Sequence, residues 1–181
     1  MKLNRQSLQL LEGALFDHNE GWGGYYELHM RLQRDKAIVK KGDFLDIVEW
    51  KSARNMGRAR KDVRWGDRHV QLTREAFNHA DRGQLKTAIK KLDEIRWVAP
   101  RTASAILMFY NPEKFTVMDV FAWNALDEGL RMKPGFGYET AKDYPQYNAV
   151  CQGVAKAFGR KLRDTDRALW FMGKYKTWRA K

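Results

Sequence analysis

Apolar residues in this 181-residue chain recur three and four positions apart, and that spacing constrains the fold more than any other feature. Phe44, Ile47 and Val48 form one such stripe. Leu85, Ala88, Ile89 and Leu92 form another, and Val120, Phe121, Trp123, Leu126 and Leu130 a third. Each set places its side chains on one helical face that has to be buried against other helices. The spacing predicts helices around Leu8 to Leu15, Tyr25 to Leu32, Asp43 to Trp50, Val70 to Ala80, Gln84 to Ile95, Pro100 to Tyr110, Tyr144 to Phe158 and Thr165 to Gly173. Asp43, Asp119, and either Asp164 or Thr165 stand where side-chain caps belong. Gly21-Trp22-Gly23-Gly24, Gly83, Asn111-Pro112 and Pro134-Gly135-Phe136-Gly137 punctuate the run. Pro100 suits a first helical position, where its missing N–H costs nothing. Only Lys114 to Val117 has strand character. The expected class is therefore all-α, in one domain over residues 1–181 with no linker or repeat.

The charge balance narrows the choice of partner. Thirty-four Lys and Arg oppose twenty-two Asp and Glu, a formal net charge of +12. Such an excess favours polyanions, because each phosphate neutralised releases condensed counterions. Hydrophobic residues make up 44% of the chain, too many for disorder. Cys151 is the only cysteine, which excludes an intramolecular disulfide, a four-cysteine zinc site and a cysteine-ligated iron–sulfur cluster. His18, His29, His69 and His79 show no metal-ligand spacing and read as surface or packing residues, and neither a metal nor a cofactor is expected. Neither a signal-peptide core nor an apolar run of about 18 residues is present. A monomer in a reducing compartment, cytoplasmic or nucleoid-associated, is expected, with no membrane partner.

From Lys51 to Arg68 the apolar period is lost. Seven cations (Lys51, Arg54, Arg58, Arg60, Lys61, Arg64 and Arg68) face two acids, Asp62 and Asp67, with Trp50 and Trp65 at the flanks. Cations beside aromatics suit phosphate contact and stacking, so this stretch reads as a basic, DNA-facing surface, with Lys51, Arg54, Arg58 and Arg60 as contacts. A solvated arm with no ligand is the alternative.

The stretch with most chemical information is Leu92-Asp93-Glu94-Ile95-Arg96-Trp97-Val98-Ala99-Pro100-Arg101-Thr102-Ala103, followed by Phe115-Thr116-Val117-Met118-Asp119-Val120-Phe121. Together they resemble the signature region of the helix-hairpin-helix DNA glycosylases. In that superfamily the hairpin reads Leu-x-Gly-Val-Gly-Pro-Lys-Thr-Ala and an aspartate follows at the tip of the next helix. Val98, Pro100, Thr102, Ala103 and Asp119 match, and the resemblance is specific over roughly residues 88 to 126. It implies a compact or two-lobed helical fold with a cleft between lobes, a hairpin at about 88–110, and an aspartate helix at about 119–130. It further implies that Trp97, Val98, Ala99, Arg101 and Thr102 meet DNA and that Asp119 is catalytic.

Two departures carry consequences. Trp97 and Ala99 replace glycines, which alters how closely the hairpin backbone can approach a phosphate. Arg101 stands where members with lyase activity carry lysine, and a guanidinium does not lose the proton that Schiff-base formation requires. The expectation is a glycosylase that hydrolyses the N-glycosidic bond of a damaged or modified base in double-stranded DNA, without strand cleavage through position 101. A carboxylate can stabilise the oxocarbenium-like sugar and activate water. The base has to be flipped into a pocket, for which Trp22, Tyr25, Tyr26 and Trp50 are candidate walls. The alternative is a non-catalytic DNA-binding module in which Asp119 is only a helix cap.

Overall fold

The computed structural model describes residues 2–17, 25–52, 56–62 and 64–179. Ten α-helices account for most of them: α1 (Arg5–Asp17), α2 (Tyr26–Asp35), α3 (Lys41–Ser52), α4 (Met56–Asp62), α5 (Asp67–Asp81), α6 (Leu85–Asp93), α7 (Pro100–Tyr110), α8 (Val120–Asn124), α9 (Tyr144–Phe158) and α10 (Leu162–Tyr175). A π-helical turn, Ala125–Gly129, continues α8, and a short 3-10 turn, Thr177–Arg179, follows α10. The protein is all-α, with no strand among the described residues. Among the described residues no helix is long and apolar enough to cross a membrane.

Helix boundaries follow local chemistry. Gly83 and Gly159 adopt left-handed φ of 76° and 69° and close α5 and α9. After α5, Gln84 N donates to His79 O at 2.9 Å and Gly83 N to Ala80 O at 3.0 Å, so that two otherwise orphaned carbonyls are satisfied. Two expected caps are displaced. Asp43 lies inside the first turn of α3, buried and paired with Arg31 at 2.8 Å, because the helix already begins at Lys41. Likewise α10 begins at Leu162; Asp164 sits in its first turn, and Thr165 is buried with its hydroxyl donating to Lys161 O at 3.1 Å.

Most helix packing falls into two sets. In the first, α2, α3, α5 and α6 surround α7, and α4 leans on α3. Every residue of α7 from Thr102 to Tyr110 is buried, which its small and apolar composition permits on all sides. In the second, α10 is the hub for α1, α8 and α9, so that the first helix packs with the last. The sets share one continuous core, and α6 touches α9. Gly173 of α10 allows an unusually close crossing: a Cβ there would lie 1.7 Å from Phe121 O of α8.

The segment 114–119 between α7 and α8 leaves a turn at Lys114 and then has no regular structure, pairing with no strand. Its strand-like sequence reflects burial on several sides, as Phe115 to Met118 are all buried. Buried backbone groups need partners, and side chains of other helices supply them. Asn148 Oδ1 accepts from Thr116 N at 2.9 Å, and Asn148 Nδ2 donates to Lys114 O at 3.0 Å. Tyr144 donates its hydroxyl to Thr116 O at 3.0 Å. Asp166 Oδ1 accepts from the Thr116 hydroxyl at 2.7 Å and from Val117 N at 3.4 Å. Ser104 Oγ accepts from Met118 N at 2.8 Å and donates to Arg101 O at 2.7 Å.

A lysine–aspartate pair at the seam between the helix sets

Helix, turn and helix follow one another over residues 85–110. Helices α6 and α7 pack together and are joined by a turn over residues 94–99, in which Ile95 N donates to Leu92 O and Val98 N to Ile95 O. Trp97, at a position where glycine is expected, takes φ of +73°. Its backbone keeps the left-handed conformation that glycine adopts freely, at a cost of about 1 kcal/mol for a residue with a Cβ. Ala99 precedes α7 in extended conformation without a side-chain cap. The amides of Arg101 and Thr102, second and third in the helix, have no preceding turn to receive them. The turn thus offers backbone donors.

Its side chains fit the expected roles less evenly. Ala99 and Arg101 are exposed and Trp97 half-buried, with Arg96 over its ring at 5.5 Å. Val98 and Thr102 are buried, so their side chains serve the core.

Asp119 caps α8 as its position implies, in extended conformation with Oδ1 accepting from Phe121 N at 2.9 Å. Its other oxygen, Oδ2, lies 2.7 Å from Lys51 Nζ. That lysine also donates to Met118 O at 3.1 Å. Lys51 ends α3 in the first helix set and Asp119 begins α8 in the second, so the pair spans the seam. The Asp119 side chain is 20% exposed and that of Lys51 11%. Each carboxylate oxygen uses one lone pair here and retains one for a further donor.

Lys51 therefore departs from its expected place on an open phosphate-binding surface. The loss of apolar period after Trp50 concealed that α3 continues to Ser52 and turns this ammonium inward. The rest of the basic stretch is mixed. α4 packs through Ala59 and Trp65 lies on Phe44 and His69 at 4.6 and 4.9 Å, while Arg60, Lys61, Arg64 and Arg68 are exposed. Arg60 meets Glu49 at 3.7 Å. Arg54 and Trp22 lie outside the described residues, as does the side chain of Arg58.

Of the aromatics expected to wall a pocket, Tyr25 and Trp50 converge. Both meet Phe109 edge-on, at 5.3 and 5.2 Å, and both are half-buried. Tyr26 is 60% exposed at the start of α2. A residue not anticipated from sequence joins them: the Arg163 guanidinium of α10 lies 5.2 Å over the Trp50 ring and is paired with Asp166. One face of Trp50 is thus covered by a cation. Nothing in the sequence near Trp50 signals a partner more than a hundred residues away.

Other reactive groups are quiet. Cys151 is fully buried, and desolvation pushes its thiol far above the usual range. Glu27 pairs with Arg31 at 3.9 Å on an exposed face. The described residues include no cluster of three or more His, Cys, Asp or Glu suited to a metal ion.

These features define an all-helical protein with a surface hairpin and a partly open lysine–aspartate pair between two helix sets. No protein-family profile, curated protein or solved structure matches the chain.

Proposed function

We propose that this protein is a DNA glycosylase of the helix-hairpin-helix type, hydrolysing the bond between a damaged or modified base and its sugar without lyase chemistry. One observation carries the reading most: Asp119 is a partly open carboxylate held rigidly and tied to the hairpin. Ser104 bonds both Arg101 O in the first turn after the hairpin and Met118 N beside Asp119. A chain docked by the hairpin would meet a carboxylate at fixed register.

The chemistry fits the restraints on that carboxylate. Cleaving an N-glycosidic bond builds positive charge on the sugar, and a preorganised anion stabilises it and orients water. The Phe121 amide and Lys51 ammonium hold one lone pair of each oxygen of Asp119, leaving the others for sugar and water. Lys51 is itself engaged by Asp119 and the Met118 carbonyl, and Arg101 cannot form a Schiff base. Tyr25, Trp50 and Phe109 form an aromatic cluster suited to one wall of a base pocket.

The test is base release from duplexes that each contain one lesion, scored as alkali-labile sites. Wild type is expected to release at least one base, Asp119→Asn to abolish release while retaining duplex binding, and borohydride to trap no protein–DNA adduct. A trapped adduct lost in Lys51→Gln would replace hydrolysis with amine chemistry. The second reading, a non-catalytic DNA-binding module, draws on Trp97 and Ala99 replacing glycines and on the capping bond of Asp119. It predicts salt-dependent duplex binding with no release from any lesion.

A further inference from the structure

The second basic segment of the chain lies away from the hairpin. Residues 160–181 carry Arg160, Lys161, Arg163, Arg167, Lys174, Lys176, Arg179 and Lys181 against only Asp164 and Asp166. Aromatic side chains interleave with these cations on the surface of α10. Lys174 Nζ lies 4.5 Å over the ring of Trp170 and 5.2 Å over that of Tyr175. Because Lys174 is exposed, the ring faces it covers are turned to solvent and not into the core. Tyr175 is 57% exposed.

This row begins beside the candidate catalytic carboxylate. Trp170 meets Phe121 edge-on at 6.0 Å, and Phe121 is the residue whose amide Asp119 caps. Phe121 and Trp170 are half-buried and Tyr175 is exposed, whereas their neighbour Phe171 packs against the core. Aromatic faces separated by a mobile cation match the needs of a nucleic-acid strand with unpaired bases: bases stack on rings and phosphates take the ammonium. A fully paired duplex cannot use such rings, since its bases are already stacked on each other. Here the cation resting on the rings occupies the place a base would take.

We infer that α10, through Trp170, Lys174 and Tyr175, binds an unpaired stretch of DNA strand next to the lesion, in addition to the duplex that the hairpin meets. The assignment of Asp119 as catalytic rests on the function proposed above; the binding track itself does not. The experiment is fluorescence anisotropy with labelled oligo(dT) and with a duplex of equal length, at one fixed salt concentration. Trp170→Ala and Tyr175→Ala are each expected to weaken oligo(dT) binding at least about fivefold while changing duplex affinity less than twofold. Trp170→Phe is expected to retain most of the affinity. Tyr175 is exposed enough for its variant to fold, and the circular dichroism melt of each variant verifies this. Unchanged oligo(dT) affinity in both alanine variants, or equal weakening toward oligo(dT) and duplex, would overturn the inference. Asp119→Asn separates the two claims. Loss of base release in Asp119→Asn with unchanged oligo(dT) affinity in the α10 variants defeats this inference alone. Selective loss of oligo(dT) binding in a protein that releases no base defeats the glycosylase reading alone.

Discussion

Two short segments without regular structure flank helix α7, and they are built by opposite means. The hairpin turn at 94–99 is made from its own backbone: local bonds from Ile95 and Val98, a left-handed Trp97 and no side-chain cap on the helix that follows. In the segment at 114–119 the amides of Lys114 and Phe115 bond locally to Asn111 O, but from Thr116 to Met118 nothing is local. Ser104, Tyr144, Asn148 and Asp166, from three different helices, satisfy its backbone, and Lys51 adds a bond from a fourth. The difference has a functional sense. A turn that meets a phosphate needs exposed donors and tolerates sequence drift, whereas a carboxylate that acts on a bond has to be held from several directions.

The comparison breaks most severely at Asp166. Asp166→Ala removes the partner of Thr116 and Val117 and leaves Arg163 without its carboxylate in a largely buried position. Destabilisation of about 3 kcal/mol or more is expected, measured by urea unfolding, because a buried ion pair loses its anion and two buried donors lose their acceptor. Ser104→Ala should be milder: it strands the buried Met118 amide at a cost of about 1–3 kcal/mol. Its base-release rate should fall more than its duplex affinity, since the hairpin backbone is untouched. At the turn the effect is smallest and of opposite sign. Ala99→Ser supplies the missing cap of α7 and should raise stability by about 1 kcal/mol. The new hydroxyl would occupy an amide at the start of α7, so duplex binding should weaken slightly in the same variant.

What the sequence revealed divides along the same line. The position of Asp119 as a cap and the helices α5, α6, α7 and α9 were legible because each is encoded within a few residues by apolar spacing, Gly83, Pro100 or the aspartate itself. Lys51 was misplaced because a charged residue at the end of an apolar stripe reads as solvent-facing, and only its acceptors Met118 O and Asp119, distant in sequence, turn it inward. Asp43 and Thr165 were misread as caps for a related reason, since their burial depends on Arg31 and on the turn at Lys161 and not on neighbouring spacing. Arg163 and its contact with Trp50 had no sequence signal at all, being fixed by the packing of α10.

Single-turnover base release from one lesion duplex, by wild type and by Asp119→Asn, with duplex affinity measured on the same preparations, tests the central claim most directly. A preorganised carboxylate acting on the sugar predicts at least about a hundredfold loss of rate in the variant with affinity nearly unchanged. Equal rates in the two proteins would reduce Asp119 to a helix cap and contradict the account.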